Sequence, residues 1–231
     1  MGIGVVVLII LLASAGSNNN NNRAGTDSNN NNARRANANT TSNTNTRSTL
    51  SSFNDDFSSE NWFTGSSDYG RTWYEDDEYH VHGKKNSYIL MYAPDRADYY
   101  DENATVRVTT RSVDGESPAS GYGLLVHGDR ATGFRDYGLL IYSGEAPKYA
   151  IVQHKDSKES KIATWTASNA IRTGTTPNQL EVRIRDRRLD FYINGQFMTS
   201  ITDPENFLRG RVGFYSSDAG EVAFDDLEIS R

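Results

Sequence analysis

Beyond residue 50 the chain alternates apolar and polar positions with a period of two. Val106 and Val108 fall on one side of residues 104–113, with Arg107 and Thr109 on the other. Leu180, Val182 and Ile184 alternate in the same way with Glu181, Arg183 and Arg185. That period belongs to a strand with one face buried, because successive side chains leave a strand on opposite sides. Further strand-like runs are predicted over residues 51–57, 72–75, 78–82, 88–92, 121–127, 137–142, 149–154, 161–166, 189–193, 196–201, 211–215 and 221–229. Asn194-Gly195 separates two of them. This pair accepts positive φ at both central turn positions and is the strongest short-range hairpin signal. No amphipathic helix, internal repeat or second boundary interrupts the series. About a dozen strands at this spacing predict one all-β sandwich or jelly roll over residues 51–231.

The composition changes where that domain begins. Residues 17–50 hold 13 Asn, 6 Thr and 4 Ser and no aromatic residue. Such a segment cannot bury enough apolar surface to offset its ordering entropy, so a disordered linker is predicted there. Residues 3–13 form a continuous apolar run, and Ala13-Ser14-Ala15 fits the small-residue rule of signal peptidase. No Lys or Arg precedes the run. About 15 apolar or small residues would span only about 22 Å as a helix, short of a bilayer core. Residues 1–16 read as a signal peptide or short membrane anchor, with export and a cell-surface or extracellular address expected either way.

Charge divides at the same place. The chain carries a net −6, and the linker holds Arg23, Arg34, Arg35 and Arg47 against Asp27 alone, a net +3, which leaves −9 for the rest. An acidic domain argues against nucleic acid as a partner, because phosphate binding needs a basic footprint. The absence of cysteine excludes disulfides, thiolate catalysis and Cys-ligated zinc. Membrane contact is expected only through residues 1–16.

Several stretches carry a family resemblance. Asn54-Asp55-Asp56-Phe57-Ser58, Asn61-Trp62, Tyr69-Gly70-Arg71-Thr72-Trp73-Tyr74 and Glu78-Tyr79-His80-Val81 resemble the opening of a family of bacterial exported domains. Gly121-Tyr122-Gly123-Leu124-Leu125, Asn178-Gln179-Leu180-Glu181-Val182, Phe191-Tyr192-Ile193-Asn194-Gly195, Gly210-Arg211-Val212-Gly213 and Phe224-Asp225-Asp226-Leu227 continue the likeness, which covers residues 53–229. It implies the concanavalin A-like jelly roll, related to laminin G-like modules and 3-keto-disaccharide hydrolase-like domains. That sandwich hosts lectins, glycosidases and adhesion modules, so function has to be argued from a site.

Few motifs point to catalysis. No Gly-x-Ser-x-Gly elbow, phosphate loop or dinucleotide fingerprint is present. The jelly-roll glucanases that the fold resembles set two catalytic carboxylates close together on one strand. The nearest cluster here, Glu75-Asp76-Asp77-Glu78 between Tyr74 and Tyr79, reads as a solvated acidic turn, with a cation site as the alternative. No catalytic residue is assigned. His80 and His82 share a strand face at workable ligand spacing, but no third ligand is visible in sequence, so an exposed face is expected.

Two binding sites are candidates. Asp55-Asp56 and Asp225-Asp226 lie in the first and last strands, which sit side by side in sandwiches of this type. Ordinary surface aspartates are the expectation there, with a structural Ca²⁺ neutralising clustered carboxylates as the alternative. A saccharide site needs aromatic faces and a few polar groups. Trp62, Tyr69, Trp73 and Tyr74 cluster in the early loops, while His127 and Tyr137, with Tyr122 and Tyr142, fall on mid-sheet strands. Any one aromatic in an all-β domain is more often core. The expected function is a non-catalytic carbohydrate-binding or adhesion module whose partner is a saccharide or cell-envelope component. The alternatives are a glycoside-active enzyme of the 3-keto-disaccharide hydrolase kind and a structural subunit of an envelope assembly.

Overall fold

The computed structural model describes residues 52–131 and 133–231. The expected leader or anchor (1–16) and the Asn-rich linker (17–50) lie outside the described residues. Among the described residues no helix is long and apolar enough to cross a membrane.

Among the described residues there are fifteen strands: β1 (Ser52–Asp55), β2 (Gly65–Ser66), β3 (Gly70–Glu75), β4 (Glu78–Gly83), β5 (Tyr88–Tyr92), β6 (Thr105–Ser112), β7 (Tyr122–Asp129), β8 (Arg135–Tyr142), β9 (Lys148–Lys155), β10 (Lys158–Ala167), β11 (Asn178–Arg185), β12 (Arg188–Ile193), β13 (Gln196–Thr202), β14 (Arg211–Ser217) and β15 (Glu221–Ser230). Each alternating run found in the sequence is one of them. The two-residue β2 is too short to leave a periodic signal. Asp76-Asp77 and Asn194-Gly195 form the β3–β4 and β12–β13 turns with φ of 52° and 59°, and of 49° and 77°. Two-residue hairpins require these left-handed conformations, which Asp, Asn and Gly tolerate best.

The strands make two sheets. One holds nine strands in the order β13-β12-β11-β6-β15-β4-β3-β2, with β1 pairing beside β15, and the other runs β10-β9-β8-β7-β14-β5. The last strand is central. Thr105–Ser112 lies along one side of β15, while β4 and β1 share its other side. A bulge between Asp225 and Glu228 lets β15 switch partners.

The inner faces meet in a dry core. Val106, Val108, Leu180, Val182, Phe191 and Phe224 face it from the nine-stranded sheet, and Leu124, Leu139, Ile151 and Phe214 from the other. Its centre is an aromatic stack. Trp62 lies parallel to Phe214 at 4.5 Å, and Phe214 lies parallel to Phe224 at 4.1 Å.

Candidate functional site

The outer face of the six-stranded sheet carries the most site-like chemistry. Strand pairing places Tyr88, Leu90 and Tyr92 beside Ser217, Tyr215 and Gly213. Leu125 lies beside Gly138, Gly138 beside Val152, and Asp136 beside His154. His154 and Val152 in turn face Glu159 and Lys161 of β10. Paired residues share a face, so all of these project away from the core. Tyr92, Leu125, Phe134, Leu140, Val152 and Tyr215 pack into a buried apolar floor, with Tyr88, Leu90 and Trp165 partly exposed against it. Above this floor opens a cleft of about 790 Å³. Tyr88, Tyr215 and Trp165 supply its aromatic surface, and Asn86, Ser120, Glu159, Lys161 and Asp218 its polar rim.

A chain of hydrogen bonds and ion pairs runs beneath the cleft. Tyr92 donates its hydroxyl to Asp136 Oδ2 at 2.5 Å. Asp136 Oδ1 lies 2.6 Å from His154 Nδ1, and His154 Nε2 lies 3.4 Å from Glu159 Oε2. Tyr215 donates to the same Glu159 oxygen at 3.1 Å, and Lys161 Nζ is 3.9 Å from the other. Burial alone would lower the His154 pKa. The charge and hydrogen bond of Asp136, with those of Glu159, outweigh it and push the imidazole up to about 9. Burial likewise works against an ionised Glu159, yet His154 and Tyr215 hold its carboxyl below the usual range. Tyr88 stacks on Tyr215 with centroids 5.4 Å apart, and burial, with the nearby Glu159 and Asp136 charges, pushes its hydroxyl up to about 12. At neutral pH the cleft therefore presents a neutral phenol, a cationic lysine, an ionised carboxylate and flat aromatic faces. That set can stack a ring and hydrogen-bond its hydroxyls.

The six aromatic and imidazole residues picked out from sequence do not converge on a platform. Trp62 is buried, donates Nε1 to Asp55 Oδ2 at 3.0 Å, and is core. Trp73 and Tyr74 are consecutive in β3, so they leave opposite faces of the sheet. Trp73 lies over His80 on the outside, whereas the Tyr74 hydroxyl accepts from the Trp62 backbone N–H at 2.7 Å. Tyr69 is half-buried before β3. His127 is fully buried, with Nδ1 2.8 Å from Asp101 Oδ1 and its backbone N–H donating to Oδ2 of the same carboxylate. Tyr137 is fully buried and donates to Asp203 Oδ1 at 2.5 Å. Tyr122 is buried too, with its hydroxyl 2.9 Å from Ser143 Oγ. Tyr142 is half-buried, under the Lys148 ammonium. The binding candidates are Tyr88, Trp165, Glu159 and Lys161, which the sequence reading passed over. Trp165 lies between Thr164 and Thr166, the same alternation that takes Val108 into the core, so the local pattern holds no signal that it borders the cleft.

The terminal strands do lie side by side, with Asp55 opposite Leu227. Their aspartates point in different directions. Asp55 is buried, and its oxygens accept from Trp62 Nε1, from the Tyr99 hydroxyl at 2.6 Å and from the Phe57 N–H at 3.2 Å. It ties the core together and is not free for a cation. Asp56 points outward and accepts from the Ser58 hydroxyl at 2.7 Å. Asp225 is half-buried, and burial first, then the charges of Asp226, Glu78 and Asp56, raise its pKa. Asp226, at φ 51° in the bulge, donates its N–H to Asp225 at 2.7 Å. Among the described residues, the one acidic or histidine group with ligand atoms all within 4.8 Å lies elsewhere, at Glu75, His80 and Glu221. His80 is thus buried under Trp73, contrary to the exposed face expected for it.

No protein-family model matches the chain, and no curated protein matches it in sequence. Solved structures do match in fold. The carbohydrate-binding module CBM66 from Bacillus subtilis is 13% identical with a TM-score of 0.57, over 73% of this chain and 94% of that one. A Bacillus licheniformis beta-glucanase is 8% identical with a TM-score of 0.56, over 79% and 99%. A laminarinase from Flavobacterium sp. UMI-01 is 11% identical with a TM-score of 0.52, over 79% and 100%. At such identities the likeness is one of fold: residues 52–231 form a concanavalin A-like jelly roll.

Proposed function

We propose that this chain is an exported surface module that binds a saccharide in the cleft on the outer face of its six-stranded sheet. The observation that carries this reading is the pairing of exposed Tyr88 and Trp165 faces with Glu159 and Lys161 around one open cleft. Sugar rings offer an apolar face for stacking and hydroxyls for such polar groups. The fold neighbours support a carbohydrate ligand, since they include both a carbohydrate-binding module and a beta-glucanase. The apolar run at residues 3–13 and the Asn-rich segment support export, with the module tethered outside the cell. Binding without cleavage is favoured because the Asp136 carboxylate is fully buried behind Tyr92 and His154. Of the two carboxylates lining the cleft, Glu159 and Asp218, Asp218 is held at the rim by the Asn86 N–H at 3.0 Å and the Ser120 hydroxyl at 2.6 Å, whereas glycoside hydrolysis uses a pair free to flank the bond.

A glycan array probed with the full chain tests the reading. Trp165→Ala and Tyr88→Ala should abolish the hits, and Trp73→Ala should keep them. Retention of binding in the first two variants would place the site elsewhere. One observation favours a second reading, a glycoside-active enzyme: an ionised Glu159 backed by a cationic His154 has the make-up of a charged catalytic group. Release of product from an array hit, lost in Glu159→Gln, would establish that reading instead. The large apolar side chains most exposed are Ile162, Phe197 and Leu208, on separate elements. This scatter gives little support to a purely structural docking role.

A further inference from the structure

On the opposite outer face, that of the nine-stranded sheet, a second constellation assembles from three distant parts of the chain. Trp73 and Ala223 flank His80 in the neighbouring strands, and Glu75 and Glu221 project on the same side. One ligand atom from each of Glu75, His80 and Glu221 lies within 4.8 Å of the other two. His80 Nδ1 is 3.0 Å from Glu221 Oε1, across 141 residues of sequence. We propose that Glu75, His80 and Glu221 bind a zinc ion.

The hydrogen-bonding capacity of His80 supports this independently. Its side chain is only 4% exposed, and Nε2 is buried without a hydrogen-bond partner. Both ring nitrogens face carboxylates, Glu221 at Nδ1 and Glu78 at Nε2, the latter 3.8 Å away. Nδ1, 3.0 Å from Glu221 Oε1, is the ring nitrogen placed to share an ion with that carboxylate. Glu78 is itself held by Arg111, at 3.0 and 2.5 Å. It lies on the Nε2 side of the ring, where metal-binding histidines ordinarily have an outer-shell carboxylate.

The geometry suits zinc. Two ligands about 2.1 Å from one tetrahedral ion lie about 3.4 Å apart, a separation within reach of atoms already clustered inside 4.8 Å. One imidazole with two carboxylates is a nitrogen-and-oxygen set of the kind zinc takes, whereas calcium takes 6 to 8 oxygens. Three protein ligands leave a fourth position for water or a partner's donor group. Glu75 is exposed, which gives the ion a way in. Trp73 orients two of the ligands, donating Nε1 to Glu75 Oε2 at 3.0 Å and stacking on the His80 ring at 5.1 Å.

Calorimetric titration of the full chain with zinc chloride should give one saturable site per chain. Glu75→Gln and Glu221→Gln should each weaken it by at least about tenfold, the scale on which even outer-shell partners act. Both exchanges keep side-chain shape at the sheet surface, and thermal melting verifies that the variants stay folded. Copper(II) at the same site should quench the emission of Trp73, with the quenched component lost in Trp73→Phe. Absence of saturable zinc binding would overturn the proposal, as would zinc binding unchanged in the Glu75→Gln, Glu221→Gln double variant.

Discussion

His154 and Asp136 sit opposite each other on β9 and β8, with Nδ1 and Oδ1 2.6 Å apart and both side chains essentially buried. The pair fastens the floor of the cleft to its rim, because the other imidazole nitrogen reaches toward Glu159. A buried charge pair of this kind is costly to break, since removing one partner leaves the other uncompensated.

This pair makes stability depend on pH with a definite sign. The folded His154 pKa, about 9, lies above its ordinary value of 6.5. Its contribution is complete below pH 6.5 and is lost as pH rises through about 9. The full span is worth about 3 kcal/mol. His127 is raised as well, by Asp101 against its own burial, and acts in the same direction. The melting temperature should fall between pH 6.5 and 9, and His154→Gln should flatten much of that slope. Proton NMR of the imidazole should give an apparent pKa near 9, and a titration near 6.5 would contradict the arrangement.

Tyr88→Ala and Trp165→Ala should each reduce affinity for a bound saccharide by about 1 kcal/mol or more, the scale of one aromatic contact. Both side chains are only partly buried, and β5 and β10 are the two edges of the sheet. Cooperative unfolding should survive both changes. Calorimetry of the array hit, beside thermal melting, separates a binding loss from a folding loss.

Tyr137→Phe should do the reverse. The hydroxyl is buried and donates to Asp203 at 2.5 Å, remote from the cleft lining. Losing a hydrogen bond to a charged group costs about 1.5 to 3 kcal/mol. Denaturant unfolding should show that loss with saccharide affinity unchanged. Altered affinity with unaltered stability would return Tyr137 to the binding site.

Gly121 couples backbone geometry to the cleft. It holds φ of 86°, and a Cβ there would lie 2.7 Å from the Trp165 ring and 2.9 Å from the Ile141 carbonyl oxygen. Gly121→Ala should destabilise by more than about 1 kcal/mol, the usual scale for alanine forced to positive φ. It should also weaken saccharide binding by displacing Trp165. A variant as stable and as tight-binding as the parent would show that neither constraint operates.

The strands and their hairpins could be read from sequence because their causes are local. Alternation sets which face of a strand is buried, and Asn194-Gly195 sets its own turn. Val106 and Val108 reach the core as their spacing requires. Local sequence could not rank the tryptophans. Trp62 and Trp165 are the same residue, yet one stacks on Phe214 in the core and the other borders the cleft. Sheet order makes that difference, by placing β10 at an edge while the segment after β1 turns Phe57 and Trp62 inward onto Phe214. Strand adjacency for β1 and β15 was readable through resemblance, but the fate of Asp55 was not. Its carboxylate turns inward because Trp62 and Tyr99, from different segments, both donate to it. The same holds for His80, whose partner Glu221 arrives only when β15 pairs with β4. Period and turn chemistry act over a few residues, whereas a site is made by side chains that only the assembled sheets bring within hydrogen-bonding distance.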